Sequence, residues 1–127
     1  MRVLGISAFY HDSAAALVED GAIVAAAQEE RFSRRKHDPR FPQHAVAFCL
    51  AAGAGAPDAV VFYEKPLRKF ERILTTAMAT APHGFRGFVA ALPAWLRQKL
   101  WISYEIEQAV ARAGFDARGR IFFTAHH

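Results

Sequence analysis

Val3-Leu4-Gly5-Ile6-Ser7, the polar turn Tyr10-His11-Asp12-Ser13, the apolar run Ala14 to Val18, Asp20-Gly21, and a third run from Ile23 to Ala27 decide the fold. Each run is too short for a stable helix and is closed by turn residues, so each reads as a strand. Asp20-Gly21 between two apolar runs is a hairpin signal, because both central residues of a tight two-residue turn can take positive φ. Three successive antiparallel strands follow. Alanine is a weak strand former, so Ala14-Ala15-Ala16 and Ala25-Ala26-Ala27 make sense if a helix layer packs closely over the sheet.

Beyond these strands, Glu29 to Pro42 is rich in charge and broken by Pro39 and Pro42, and reads as a loop. Gln43 to Ala52 places Ala45, Phe48, Cys49 and Ala52 at helical spacing, with Gly53 and Gly55 as the stop. Asp58 to Tyr63 is a strand built on Val60, Val61 and Phe62. After Pro66, Leu67, Phe70, Ile73, Leu74 and Ala77 mark one helix face, opposite Lys65, Arg68, Lys69 and Arg72. Phe85 to Leu96 is helical but contains Pro93, which predicts a kink or two short helices. A further helix from about Ser103 carries Ile106, Val110 and Ala113 and stops at Gly114, and Arg120 to Thr124 is a last strand. Strands interleaved with helices make this an α/β chain.

At 127 residues the chain is one domain at most. With 53% apolar and 22% charged residues it can form a core, which argues against disorder or a fibre. A net charge of +4 and a pI near 9.6 suit an anionic partner without demanding one. Cys49 has no partner for a disulfide and lies in an apolar stretch, which predicts a buried thiol in a reducing compartment. The apolar start is too short for a secretory leader. No stretch reaches the roughly 18 uninterrupted apolar residues of a membrane helix. A cytoplasmic protein is expected.

Chemistry can sit in four places. The turn His11-Asp12-Ser13 can direct amides and a hydroxyl at a phosphate while the carboxylate holds Mg²⁺ or its water; alternatively Asp12 and Ser13 only cap a turn. In the loop, Arg31, Arg34, Arg35 and Lys36 are enough cations to clamp an anion, and Lys36-His37 can neutralise charge on a leaving phosphate; the same run also suits a solvated face. Lys65, Arg68, Lys69 and Arg72 form either an RNA-contacting stripe or a solvated helix face. His126-His127 after the last strand is the beginning of a metal site or a pair of exposed histidines.

The ordered run Leu4-Gly5-Ile6-Ser7-Ala8-Phe9-Tyr10-His11-Asp12-Ser13-Ala14-Ala15-Ala16-Leu17, with Gln28 to Arg34, Lys36-His37-Asp38, Phe41-Pro42, Val61 to Pro66 and Lys69 to Arg72, resembles the N-terminus of the O-carbamoyltransferases. That family includes nodulation-factor and aminoglycoside-antibiotic enzymes. The resemblance covers the whole chain and implies the N-terminal part of an actin/sugar-kinase (RNase H-like) fold: a mixed sheet that opens with three antiparallel strands, flanked by helices. It further implies transfer of a carbamoyl group from carbamoyl phosphate, through a carbamoyl adenylate made with ATP, to a hydroxyl of a small molecule.

By the same resemblance, His11 binds the carbamoyl adenylate or helps deprotonate the acceptor; Lys36, placed in the charged loop to neutralise a leaving phosphate, is the second catalytic candidate. Asp12, Ser13 and Arg31 meet the nucleotide phosphates, and His126 is a ligand to a divalent metal, iron or magnesium, in a His-His-x-Ser-His motif. Ala125 stands where glutamate is common, and the motif runs past His127. Residues 1–127 are therefore expected to be the leading piece of a longer catalytic domain, inactive alone. A threonylcarbamoyl-type tRNA-modifying relative and a non-catalytic basic binding module are the alternatives; Lys36-His37-Asp38 and Tyr63 to Pro66 favour the small-molecule group, so no nucleic-acid or membrane partner is expected.

Overall fold

A computed structural model describes residues 1–63 and 66–124, apart from the side chains of residues 66–70, 94–95 and 98–100. Strands β1 (Arg2–Ser7), β2 (Ala14–Glu19) and β3 (Ala22–Gln28) run antiparallel in succession. Between β2 and β3, Asp20 (φ 49°) and Gly21 (φ 86°) are both left-handed, the backbone that the right-handed twist of a tight hairpin requires. On the other side of β1, β4 (Ala59–Phe62) pairs parallel to it, and β5 (Ile121–Phe123) pairs parallel to β4, giving the order β3-β2-β1-β4-β5. A five-stranded mixed sheet that opens with three antiparallel strands is the α/β architecture the sequence predicts.

Alternation decides which side of the sheet is buried. Leu4, Ile6, Ala15, Leu17, Val60 and Phe62 point to one face and are 3% exposed or less. Over them lie α2 (Gln43–Ala52), through Ala45, Val46, Cys49 and Leu50, and the C-terminal part of α4 (His83–Arg112), through Ile102, Ile106, Ala109 and Val110. Ala15 and Ala45 let helix and sheet approach closely, as the alanine-rich strands suggest. The thiol of Cys49 is fully buried and donates to the Ala15 carbonyl at 3.4 Å; burial raises its pKa. Ala14, Ala16 and Ala26 face the other way, where with Gly5, Ser7, Val61 and Tyr63 they line a concavity of about 800 Å³.

Three expectations need correction. The charged stretch after Glu29 is not all loop: Glu30–Ser33 forms a single helical turn, α1, closed by left-handed Arg34 (φ 58°). Phe48 belongs to the rim rather than the core; it is 48% exposed and its ring sits 5.8 Å from that of Phe32, because Val46 and Leu50 take the inward positions. Pro93 does not divide the third helical region. After α3 (Pro66–Ala79), α4 runs unbroken for 30 residues, and absorbs the separate helix expected from Ser103. Proline costs a helix one donor and a clash one turn back. Here Pro93 is exposed, and the helix is held on both sides of it, by α3 toward its start and by α2 toward its end.

Candidate functional site

The turn after β1 and the loop after β3 are fastened to each other by backbone. The Phe9 amide donates to the Pro39 carbonyl (2.8 Å), the Glu29 amide to that of Ser13 (2.8 Å), and the Ser13 amide to that of Asp38 (3.0 Å). Ser13 is fully buried, and its hydroxyl also donates to the Asp38 carbonyl, at 2.8 Å. Both donors that the turn reading directs at a phosphate are thus engaged inside the protein.

Two buried carboxylates brace this junction. Asp38 accepts from Arg40 Nε (2.9 Å) and Nη2 (2.6 Å) and from the Arg40 amide (3.1 Å). The guanidinium, with help from Ser33, holds the Asp38 carboxyl far below the ordinary carboxylate range. Glu29, 2% exposed, accepts the amides of His44 (3.1 Å) and Ala45 (3.0 Å) and the His44 ring Nδ1. Helix α2 begins after Pro42, which offers no side-chain cap, so its first free N–H groups are satisfied by a carboxylate from the preceding loop.

The backbone here is costly. Phe9 (φ 68°), Asp12 (φ 51°), Arg34 (φ 58°) and His37 (φ 55°) are all left-handed without being glycine. Such residues cost about 1–3 kcal/mol each and persist where their surroundings over-determine them, commonly at functional sites. Phe9 is held by rings on both sides, Phe41 at 6.4 Å and Phe62 at 6.3 Å.

At the exposed edge of the junction three side chains converge that are far apart in sequence. Asp12 Oδ2 lies 2.9 Å from His11 Nδ1, and Asp12 Oδ1 lies 2.6 Å from His37 Nδ1. The His37 amide donates to Glu30 Oε2 at 3.0 Å. Hydrogen bonds from His37 first, then His11, lower the Asp12 pKa. One donor atom each from Asp12, Glu30 and His37 lies within 4.8 Å of the others. The His11 ring also rests against Tyr10, with centroids 4.3 Å apart.

Of the residues singled out from sequence, the fold therefore brings His11, Asp12 and Ser13 against the loop that carries Arg31 and Lys36. Arg31, Arg34, Arg35 and Lys36 are exposed and, among the described residues, their side chains make no ion pair or hydrogen bond. Arg31 also lines the concavity on the open sheet face, beside Phe32 and Phe48. His126 lies outside the described residues, as do Lys65 and the side chains of Arg68 and Lys69, so the metal ligand and the basic stripe have no structural account here. Glu30 and His37 were not singled out as partners of Asp12. Their only signal in the sequence is a high density of ionisable side chains in a proline-broken loop.

Comparison with known proteins places the chain in a family. Residues 2–127 match the family described as Carbamoyltransferase N-terminus. A protein of Synechocystis sp., named Uncharacterized protein sll1178, is 52% identical over 133 residues, covering 99% of this chain and 22% of the relative. Nodulation protein NolNO of Sinorhizobium fredii is 48% identical over 42 residues, covering 33% of this chain and 6% of the relative. A 19.2 kDa protein encoded in the syrM 5' region of Rhizobium etli is 41% identical over 46 residues, covering 36% of this chain and 27% of its own. The chain thus spans about a quarter or less of the curated relatives it matches. Matched over nearly its whole length, and folded as that resemblance implies, it belongs to the carbamoyltransferase N-terminus family.

Proposed function

We propose that this chain supplies part of the active site of an O-carbamoyltransferase, which moves a carbamoyl group from carbamoyl phosphate, through a carbamoyl adenylate formed with ATP, to a hydroxyl of a small molecule. The observation that carries the proposal is the fastening of the His11–Ser13 turn to the cationic Glu29–Pro42 loop, in a chain matched to the family over residues 2–127. The reaction needs a base for the acceptor hydroxyl and positive charge for phosphate oxygens, and this junction offers both.

In this reading His11, exposed at the turn, takes the hydroxyl proton. Arg31 and Lys36, whose charges are not spent inside the described protein, neutralise the phosphates beside the turn, which Asp12 and Ser13 shape from within because both Asp12 oxygens and both Ser13 donors are already engaged. The concavity beside Arg31 offers small and apolar walls with Ser7, Gln28 and Thr124 among its polar groups. A divalent metal, iron or magnesium, would polarise an oxygen of the reacting group, and His126 is its proposed ligand. The Asp12–Glu30–His37 group is arranged for hydrogen bonds rather than for an ion, because both Asp12 oxygens already receive imidazole nitrogens. No helix among the described residues is long and apolar enough to cross a membrane.

The test is to express the full reading frame that encodes these residues and to follow phosphate release from carbamoyl phosphate together with pyrophosphate release from ATP. ATP-dependent turnover that falls about 10²–10⁴-fold in His11→Gln when an acceptor hydroxyl is supplied supports the proposal. Carbamoyl phosphate left intact by the wild type in the presence of ATP sinks it.

A further inference from the structure

His37 and Asp12 lie 25 positions apart in sequence, yet they meet at 2.6 Å, and the same carboxylate reaches His11 at 2.9 Å. An ionised carboxylate has no hydrogen to give, so a short contact from each of its oxygens to a ring nitrogen requires that nitrogen to carry the proton. His11 and His37 are then both Nδ1–H imidazoles. A neutral ring in that state has its lone pair on Nε2, the atom that accepts a proton. A free imidazole in water prefers the opposite tautomer. The contact is held by its framework: Asp12 and His37 are both left-handed, the His37 amide is fixed by Glu30, and the Ser13 and Phe9 amides lock the two loops in register.

We propose that Asp12 and His37 are positioning residues for His11. Asp12 fixes the His11 tautomer, and His37 restrains the second oxygen of Asp12 so that the carboxylate keeps its aim. This rests on the reading of His11 as the base at the acceptor hydroxyl. As the acceptor oxygen bonds to the carbamoyl carbon, its proton passes to His11 Nε2. The bond from that carbon to the phosphate oxygen of the adenylate breaks, and AMP leaves with the electron pair. The imidazolium so formed keeps its Nδ1–H on Asp12, whose negative charge offsets the new positive one, as in other carboxylate–imidazole pairs. His37 holds Asp12 in place throughout and exchanges no proton with substrate.

The experiment uses the protein of the full reading frame, ¹⁵N-labelled at histidine, and long-range ¹H–¹⁵N correlation of the imidazoles at alkaline pH. The expected result is that His11 and His37 both show the Nδ1–H pattern. His83 is exposed and, among the described residues, has no side-chain hydrogen bond, so it should show the ordinary solvent pattern. In Asp12→Asn, which keeps one acceptor oxygen and places an NH₂ donor where the other stood, at least one of His11 and His37 should revert to the His83 pattern; asparagine tolerates the left-handed backbone at this position. His37→Gln should lower the Nδ1–H fraction at His11 without abolishing it. A wild-type spectrum in which His11 or His37 looks like His83 overturns the proposal, and needs no variant to fold. That result leaves carbamoyl transfer standing, whereas correct tautomers in a protein whose full reading frame does not turn over carbamoyl phosphate would overturn the reaction assigned above and leave the positioned imidazoles.

Discussion

The sheet with its two loops and the α3–α4 hairpin carry similar amphipathic signals and meet different fates. In the first region the inward residues Leu4, Leu17, Val60 and Phe62 are 0% exposed. In the second, Phe85 is 47% exposed, Val89 49%, Leu96 46% and Met78 64%. The two helices pack on each other, with Ala77 buried, while among the described residues the C-terminal part of α4 is what reaches α2 and the core. Periodicity shows that an element has an apolar face, but it does not show what covers that face.

The largest expected contrast is energetic. Phe62→Ala removes a fully buried ring packed among Phe9, Tyr63 and Phe123 and should destabilise the chain by about 3–5 kcal/mol. Val89→Ala in the hairpin should change stability by no more than about 0.5 kcal/mol. Urea unfolding of both variants against the parent chain checks this. Equal losses would show that the two regions form one cooperative core and would break the comparison.

Next in size is Glu29. It is the loop carboxylate that satisfies the first amides of α2, so Glu29→Ala leaves two N–H groups without acceptors beside a buried site. A cost of about 1–3 kcal/mol follows, read from the same unfolding curves. If the loss is much smaller, solvent reaches that helix end and the loop is less tightly bound to the core than its hydrogen bonds imply.

These two residues also show what could be read in advance. Phe62 stood in a short apolar run between turn residues, and such runs placed all five strands, with Asp20-Gly21 fixing one register. Helix α2 was legible from its spacing and its glycine stop. The function of Glu29 was not legible, because its partners His44 and Ala45 are backbone donors whose need depends on Pro42 failing to cap the helix. The same holds for His37, which reaches Asp12 only because amides of Phe9 and Ser13 bond to carbonyls of Pro39 and Asp38. Long-range backbone pairing leaves no period in a sequence. The continuity of α4 through Pro93 was hidden for a related reason: local propensity argued for a break, and packing on both sides of the proline outweighed it.

The acid limb of stability should separate the loops from the hairpin further. The folded Asp38 pKa is depressed, so its contribution is present above the unfolded carboxylate value of about 3.9 and is lost as pH falls from there toward the folded value. Asp12, Asp20 and Asp116 are depressed in the same direction and add to the slope. In Asp38→Asn the fall in melting temperature between about pH 5 and pH 2 should be shallower than in the parent. A slope unchanged by the substitution would mean that the Asp38–Arg40 pair survives in the unfolded chain or contributes nothing to folding.

The smallest effect on stability belongs to the exposed apolar side chains, and it tests the hairpin from the opposite direction. Surface residues of this kind stabilise little, because burying them is what releases free energy and here they remain in water. Together, however, Phe85, Val89 and Leu96 expose enough apolar surface to favour association between copies. Replacing all three with serine should therefore leave the unfolding midpoint nearly unchanged while reducing self-association in sedimentation velocity and dye binding to apolar surface. Phe62→Ala should do the reverse, lowering stability sharply and increasing dye binding as the core loosens. If the triple variant instead unfolds, these side chains pack in solution against the rest of the chain, and the two regions differ in degree rather than in kind.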